Sequence, residues 1–208
     1  MFIVFEGVDG AGKSTQIKKL ASYLKQKNYD IVLTREPGGT DDGEIIRDVL
    51  LHKKLSVVDQ YLLLLAARAT HIEEVIEPAL SKNKIVLCDR YADSTAVYQN
   101  EINRISFPEL FRAGELLAEQ AIPNLTILLH VSPNVSIRRL KNRFSDKSDV
   151  FENSITLDLI KKRQDKYLEI ANNNKNRYVI VNADQKSNAT HNEIVNAVED
   201  LLNGHQYT

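Results

Sequence analysis

Short apolar runs alternate with amphipathic segments along the whole chain. Buried strands are predicted for the continuous apolar runs at 2–5, 31–33, 85–88, 126–131 and 178–181. Helical spacing of apolar residues predicts helices at 13–27, 42–52, 57–80, 107–120, 134–142, 155–172 and 193–202. Because strands without polar alternation are typical of a sheet covered on both faces, we predict an α/β fold with a five-stranded parallel sheet flanked by helices. No linker, repeat or low-complexity tract interrupts the pattern, so a single domain over 1–208 is expected.

Composition and charge exclude several classes of protein. Hydrophobic residues make up 43% and charged residues 26% of the 208, which is ordinary for a soluble globular chain. The formal net charge of −1 gives no support for nucleic-acid binding. A single cysteine, Cys88, excludes an intramolecular disulfide framework and fits a reducing compartment. The longest apolar run, 62–67, is far shorter than the roughly 18 residues of a membrane span, so we expect a cytoplasmic protein without a membrane partner.

The strongest local signal is a glycine-rich segment between the first strand and the first helix. Residues 7–14 fit G-x-x-x-x-G-K-[ST], in which backbone N–H groups surround a polyphosphate, Lys13 neutralises the terminal phosphates and Ser14 binds Mg²⁺. A tight turn would explain Gly7 and Gly12 but not Lys13 followed by Ser14. We therefore expect ATP or GTP to bind, with Mg²⁺, at the following residues: Gly7, Val8, Asp9, Gly10, Ala11, Gly12, Lys13, Ser14 and Thr15.

Other residues narrow the kind of nucleotide-binding protein. The chain has no N-K-x-D segment, which a GTPase needs to read guanine, and it is small for a motor or transporter ATPase. A small kinase with an anionic acceptor is the remaining class.

Asp89 and Arg90 follow the third strand, where ligands gather in parallel sheets. Asp89 suits a role with Mg²⁺ and Arg90 can grip a phosphate, whereas the competing interpretation is a surface ion pair. Arg47 and Arg68, each taken alone, are better explained as side chains that reach solvent.

Several blocks of sequence together resemble the thymidylate kinases of the bacterial type over nearly the whole chain. The blocks are 5–7 with the phosphate loop, T-R-E-P-G-G-T at 34–40, A-A-R at 66–68, D-R-Y at 89–91 and S-T-A-V-Y-Q at 94–99. The resemblance implies a P-loop NTPase-type fold with a small lid at about 141–153. It implies transfer of the γ-phosphate of ATP to dTMP, forming dTDP and ADP. It also implies a homodimer, for which the apolar stretch 61–69 suits an interface helix.

The resemblance also implies residue roles. Asp9 meets the 3′-hydroxyl of the acceptor, Arg47 and Arg90 hold its 5′-phosphate, and Arg68 hydrogen-bonds the thymine ring. Ser94 and Gln99 complete base recognition. The other implied contacts are Pro37 and Leu64 with the substrate, Tyr98 with the deoxyribose and Ala183 with adenine.

Two positions depart from the family pattern and keep alternatives open. Leu64 stands where the family has a phenylalanine that stacks on thymine, which keeps a kinase for another deoxynucleotide or a deoxynucleoside in view. Val150 stands where a lid arginine is expected, which keeps a nucleotide-binding regulator without catalysis in view. We predict that Arg143 is the lid cation, although a solvated basic helix end is the competing interpretation. The histidines have no metal-ligand spacing, and a packing or surface role is favoured for His71.

Overall fold

The computed structural model describes residues 1–98, 108–144 and 156–204, with the side chains of 108–111, 143 and 144 left out. Its strands are β1 (Phe2–Glu6), β2 (Ile31–Arg35), β3 (Ile85–Asp89), β4 (Leu125–His130) and β5 (Tyr178–Asn182). They form one parallel sheet in the order β2-β3-β1-β4-β5, which confirms the predicted fold class. Strands β1, β3 and β4 are almost completely buried, as their continuous apolar runs require, whereas the edge strands β2 and β5 alternate in exposure.

The helices of the described residues follow the predicted spacing with four differences. They are α1 (Lys13–Gln26), α2 (Asp41–His52), α3 (Val57–His71), α4 (Glu77–Ser81), α5 (Ala92–Tyr98), α6 (Pro108–Gln120), α7 (Pro133–Phe144), α8 (Leu157–Asn173) and α9 (Ser187–Leu202). Helix α5 lies in a segment for which no helix was predicted, and α9 begins six residues earlier than its prediction. Residues 143 and 144, predicted to be irregular, belong to α7; the rest of the predicted lid lies outside the described residues.

The predicted helix at 57–80 is not continuous, which is the fourth difference. A π-helical turn at Ile72–Ile76 separates α3 from α4, and the N–H of Glu77 donates to the carbonyl of Ile72. Pro78 explains the interruption, because proline has no N–H to donate to the carbonyl four residues earlier and its ring would clash with that carbonyl. A wider turn that ends just before the proline avoids the clash.

Side-chain caps explain where several helices begin. The hydroxyl of Thr40 accepts from the N–H of Gly43 at the start of α2, and the hydroxyl of Thr156 accepts from Leu159 at the start of α8. Ser56 and Asp59 form a capping box at the start of α3, each side chain accepting from the other's backbone N–H. Each cap satisfies N–H groups that have no partner within the helix.

The contacts divide the chain into two compact units. Unit 1 contains residues 1–4 and 21–124. Its core includes Phe2, Ile76, Val86 and Cys88, all at most 1% exposed, and the ring of Phe2 meets that of Tyr91 edge-on at 5.2 Å. The register of β2 on β3 pairs Arg35 with Asp89, so the segments that follow both strands start at the same edge of the sheet.

Unit 2 contains residues 5–20 and 125–208, of which 205–208 lie outside the described residues. Strands β4 and β5 pair in parallel from Thr126 with Tyr178 to His130 with Asn182. The phosphate-loop segment and the loop after β5 belong to this unit, and the N–H of Ala183 donates to the carbonyl of His130. Across the described residues, no helix is both long and apolar enough to span a membrane.

Candidate active site

The segment predicted to bind phosphate forms the loop between β1 and α1 in unit 2. Gly7 and Gly10 have φ of 139° and 77°, which L-residues with a side chain rarely adopt. A Cβ at Gly7 would lie 2.7 Å from the carbonyl oxygen of Leu129, and one at Gly10 would lie 2.7 Å from that of Ser136. The loop therefore requires glycine at both positions, for its backbone angles and for the close approach of neighbouring backbone.

The ammonium group of Lys13 lies within this loop. The side chain is only 6% exposed, and its Nζ donates to the carbonyl oxygens of Gly7 at 2.8 Å and Val8 at 3.1 Å. An ammonium group is costly to bury unless polar groups surround it. The two carbonyls meet that requirement, so the cation is held beside the first two residues of the loop, which directly follow β1. Ser14 and Thr15 on the first turn of α1 are exposed, and Asp9 and Gly10 are half-buried.

Two residues of α7 donate hydrogen bonds to the backbone of the loop, and neither role was predicted from the sequence. The hydroxyl of Ser136, which is fully buried, donates to the carbonyl of Asp9 at 2.6 Å. The guanidinium of Arg139 donates to the carbonyls of Gly10 at 3.2 Å and Ala183 at 2.8 Å. Arg139 thereby connects the phosphate loop with the predicted adenine-contacting segment. Arg139 is therefore not part of a solvated basic helix end, which was the competing interpretation at Arg143, whereas Arg138 on the same helix is exposed.

A cluster of arginines lies at the end of β2 and β3 in unit 1. Arg47 is half-buried on α2, and its Nη1 donates to the carbonyl of Pro37 at 3.0 Å. Burial lowers the pKa of Arg47, and the positive charges of Arg35 and Arg90 lower it further, against the opposing effects of Glu44 and Asp89. Like charges gathered in a half-buried place repel one another, so the cluster is suited to an anion such as phosphate.

Arg35, the third member of that cluster, is paired with the carboxylate of Glu44. Its Nη2 lies 2.6 Å from Oε2 of Glu44, and both side chains are about half exposed. The hydrogen bond from Arg35 lowers the pKa of the Glu44 carboxyl, and the N–H of Gly39 adds to this effect. This pair fixes the turn after β2 against the first turn of α2.

The structure brings three of the predicted substrate residues together: Arg90 lies just before α5, and Ser94 and Tyr98 lie on that helix. Arg90 has a φ of 72°, and its guanidinium donates to Ser94 Oγ and to the hydroxyl of Tyr98, each at 3.0 Å. The guanidinium carbon also lies 4.8 Å from the centre of the Tyr98 ring. The helix therefore orients the arginine, because Ser94 and Tyr98, which were predicted to contact the base and the deoxyribose, both accept a hydrogen bond from Arg90. Gln99 lies outside the described residues.

Arg68 is in the interior rather than at the surface. It is 3% exposed; its Nε donates to Glu36 Oε2 at 2.9 Å and its Nη2 donates to Thr95 Oγ1 at 2.8 Å. Its guanidinium carbon lies 5.1 Å from the ring centre of Tyr91, and burial raises the pKa of that tyrosine. Leu64, one turn earlier on α3, is half-buried. The solvent interpretation of Arg68 taken alone is therefore wrong.

Glu36 also contacts a histidine that sequence analysis assigned to a packing or surface role. His71 is fully buried; its Nδ1 lies 2.9 Å from Glu36 Oε1 and its Nε2 lies 2.7 Å from Thr34 Oγ1. The sequence did contain a signal for this position of His71. It lies three residues after Arg68 on one helix, and residues at that spacing share a helix face.

The remaining predicted residues are metal ligands and lid residues. Asp89 ends β3 directly before Arg90, and Ser14 is the second residue of α1. The described residues contain no group of three or more His, Cys, Asp or Glu side chains that could hold a metal by themselves. Arg143 belongs to α7, but its side chain and Val150 lie outside the described part of the chain.

Comparisons with known proteins agree on one family. The family model described as thymidylate kinase matches residues 5–194. A thymidylate kinase of Caldanaerobacter subterraneus subsp. tengcongensis is 34% identical over 205 residues, which cover 98% of this chain and 97% of that protein. One of Kosmotoga olearia is 37% identical over 197 residues, covering 94% and 93%. The crystal structure of thymidylate kinase from Ehrlichia chaffeensis is 30% identical, with a TM-score of 0.74 over 96% of this chain and 98% of that one.

Proposed function

The chain belongs to the thymidylate kinase family, and from that premise we propose a role in phosphate transfer for the residues described above. The enzyme phosphorylates dTMP with ATP, so its products are dTDP and ADP. The observation that carries the assignment of the acceptor site is the arginine cluster of unit 1, in which Arg47 and Arg90 are half-buried and oriented by neighbouring groups. These two side chains hold the 5′-phosphate of dTMP.

The phosphate loop of unit 2 binds the donor. Backbone N–H groups of residues 7–15 surround the phosphates of ATP, and Lys13 neutralises charge that develops on the transferring group. The burial of Lys13 and its two carbonyl contacts support this role, because they place the cation within the loop. Ala183 contacts adenine, and its carbonyl is tied to the loop through Arg139.

Residues of unit 1 read the rest of the acceptor. Arg68 hydrogen-bonds thymine, and Leu64 on the same helix packs against the ring in place of an aromatic side chain. Tyr98 covers the deoxyribose, while Ser94, Gln99 and Pro37 complete the contacts with dTMP. The ion pair of Arg68 with Glu36 supports this role, because it holds a buried guanidinium in one orientation. Asp9 of the phosphate loop meets the 3′-hydroxyl.

The residues proposed for magnesium fit that ion. A hydroxyl from Ser14 and a carboxylate from Asp89 are the hard oxygen ligands that Mg²⁺ prefers, and Mg²⁺ is usually completed by substrate phosphates and water. The lack of a cluster of three ligating side chains in the described residues is consistent with that mode. When bound with ATP, Mg²⁺ offsets negative charge on the phosphates.

The chemistry needs positioned cations rather than a strong base. The second pKa of a phosphate monoester is about 6, so the acceptor is mostly a dianion near neutral pH and is already nucleophilic. The obstacle is repulsion between two anions brought into line. Lys13 and Arg90, with Arg143 from the lid, reduce that repulsion, and a closed lid excludes water that would otherwise hydrolyse ATP.

Arg143 is proposed as the lid cation because it lies four residues after Arg139 on α7. Residues at this spacing share a helix face, and Arg139 contacts the phosphate loop. The proposal further includes a single domain over 1–208, a lid at about 141–153, a cytoplasmic location and a homodimer. Leu62 within the stretch 61–69 is 44% exposed, which supports an apolar surface for a second copy. Light scattering of the purified protein tests the dimer.

A coupled assay of ADP release tests the activity. The protein is given Mg-ATP with dTMP, dUMP, dCMP, UMP or AMP in turn. Saturable turnover on dTMP, with weaker turnover on dUMP and none on ribonucleotides, is the expected result. Faster turnover on another acceptor would overturn the substrate assignment, and Arg90→Ala with near-normal turnover would overturn the role of that arginine.

A further inference from the structure

Four side chains of unit 1, three of them buried, form one series of hydrogen bonds. Thr34 contacts Nε2 of His71, Nδ1 of His71 contacts Oε1 of Glu36, and Oε2 of Glu36 accepts from Nε of Arg68, at 2.7, 2.9 and 2.9 Å. His71 is 0%, Arg68 is 3% and Glu36 is 5% exposed. The two oxygens of one carboxylate therefore bind two different side chains, the histidine and the arginine.

The direction of each hydrogen bond in this series follows from the carboxylate of Glu36. An ionised Glu36 only accepts, so Nδ1 of His71 carries a hydrogen and donates to it. His71 lies three residues after Arg68 on α3, so one helix face presents both donors to Glu36. A carboxylate this deeply buried is costly unless all its oxygens have partners. Removing His71 leaves Oε1 without the partner that fixes the rotation of the carboxylate.

The rotation of the carboxylate decides the orientation of Arg68. Glu36 binds Nε and Thr95 binds Nη2, so two of the three nitrogens of a planar group are fixed, and the direction of Nη1 follows from them. We propose that His71 is a positioning residue for base recognition, which acts through Glu36 on Arg68. The inference rests on the proposed function, because it assumes that Arg68 hydrogen-bonds thymine.

Calorimetric titration of the full chain with dTMP and, separately, with ATP tests the proposal. His71→Leu removes both ring nitrogens and is expected to raise the dTMP dissociation constant about tenfold, as the loss of one charge-assisted hydrogen bond implies. His71→Asn keeps a nitrogen near the position of Nδ1 and is expected to raise the dTMP dissociation constant only about twofold to threefold. Affinity for ATP is expected to stay unchanged. The matched control is His52→Leu, an exposed histidine on α2.

Unchanged dTMP affinity in His71→Leu, or an equal loss of ATP affinity, overturns the proposal. Should His71→Leu fail to fold, Thr34→Val removes only the hydroxyl at Nε2 and decides the question. About a twofold to fivefold loss of dTMP affinity supports the proposal, and no loss overturns it.

A double-mutant cycle with Arg68→Ala separates the proposal from the proposed function. If His71 acts through Arg68, His71→Leu in the Arg68→Ala background changes dTMP affinity less than about twofold. If His71→Leu weakens dTMP binding as much in the Arg68→Ala background as in the unaltered protein, His71 acts independently of Arg68, and the proposal is overturned. If the unaltered protein does not bind dTMP, the proposed function fails; if only Arg68→Ala weakens binding and His71→Leu does not, the positioning role alone fails.

Discussion

Gly10→Ala is expected to destabilise the protein far more than Gly12→Ala, although both change a glycine of the same loop. Both glycines have positive φ, 77° and 100°, and an L-residue with a left-handed backbone costs about 1–2 kcal/mol. Only at Gly10 does the new methyl meet other atoms: the carbonyl oxygen of Ser136 at 2.7 Å, its Cα at 3.2 Å and Leu140 Cγ at 3.3 Å. A Cβ at Gly12 meets nothing within 4 Å.

The steric difference sets the size of the effect. Overpacking of this kind adds about 1–3 kcal/mol, which brings the cost at Gly10 to about 2–5 kcal/mol against about 1–2 kcal/mol at Gly12. For a chain of this length, 1 kcal/mol shifts the melting temperature by roughly 2–4 °C. The expected loss is therefore about 4–20 °C for Gly10→Ala and about 2–8 °C for Gly12→Ala.

Thermal unfolding followed by circular dichroism, at matched protein concentration and without ligand, measures both variants. Equal melting temperatures would show that the backbone of Ser136 does not restrict Gly10, and would refute the steric argument. Catalytic activity is not a suitable readout for this comparison, because both substitutions alter the phosphate loop.

The remaining predictions concern charged side chains. Lys13→Met is expected to lower kcat about 100-fold or more, with circular dichroism unchanged, because it removes the cation of the phosphate loop; turnover within threefold of the original would contradict that role. Arg139→Met is expected to raise the KM for ATP roughly tenfold and to leave the KM for dTMP nearly unchanged, because hydrogen bonds to two loops are lost; the exposed Arg138→Met serves as control, and equal effects would contradict the support role. Glu44→Gln is expected to cost about 0–1 kcal/mol near neutral pH, because the pair with Arg35 is largely exposed. Since the folded-state pKa of Glu44 is lowered, its contribution is present above the ordinary value of 4.5 and disappears as pH falls through the folded-state value, so urea titrations that show a larger difference at pH 3 than at pH 7 would contradict the sign.

Local signals in the sequence were enough to predict the sheet and to locate the segments of the site. The apolar runs predicted strands because a buried parallel strand needs apolar residues on both faces, and the structure places strands at each run. The phosphate-loop motif and the segment around Arg90 were found from residue type and order, and the segment around Arg35 was found through the family resemblance. Pro78 and the start of α9 show the limit of spacing. One backbone clash divides a helix that was predicted to be continuous, and the first residues of α9 are mostly polar, so they carry no apolar spacing that would predict a helix.

Residue type and order are enough to locate the short segments that carry the chemistry, whereas the side chains that support these segments are set by the folded chain. Arg68 meets Glu36 across 32 positions, and Ser136 meets Asp9 across 127. No local period connects residues so far apart, because such contacts depend on how strands and helices are brought together after they form. For the same reason His71 was not identified as a partner of Glu36, although its place one turn after Arg68 is plain in the sequence. The sequence shows which side chains are positively or negatively charged. Their burial, and the partners that make that burial tolerable, arise only in the folded chain.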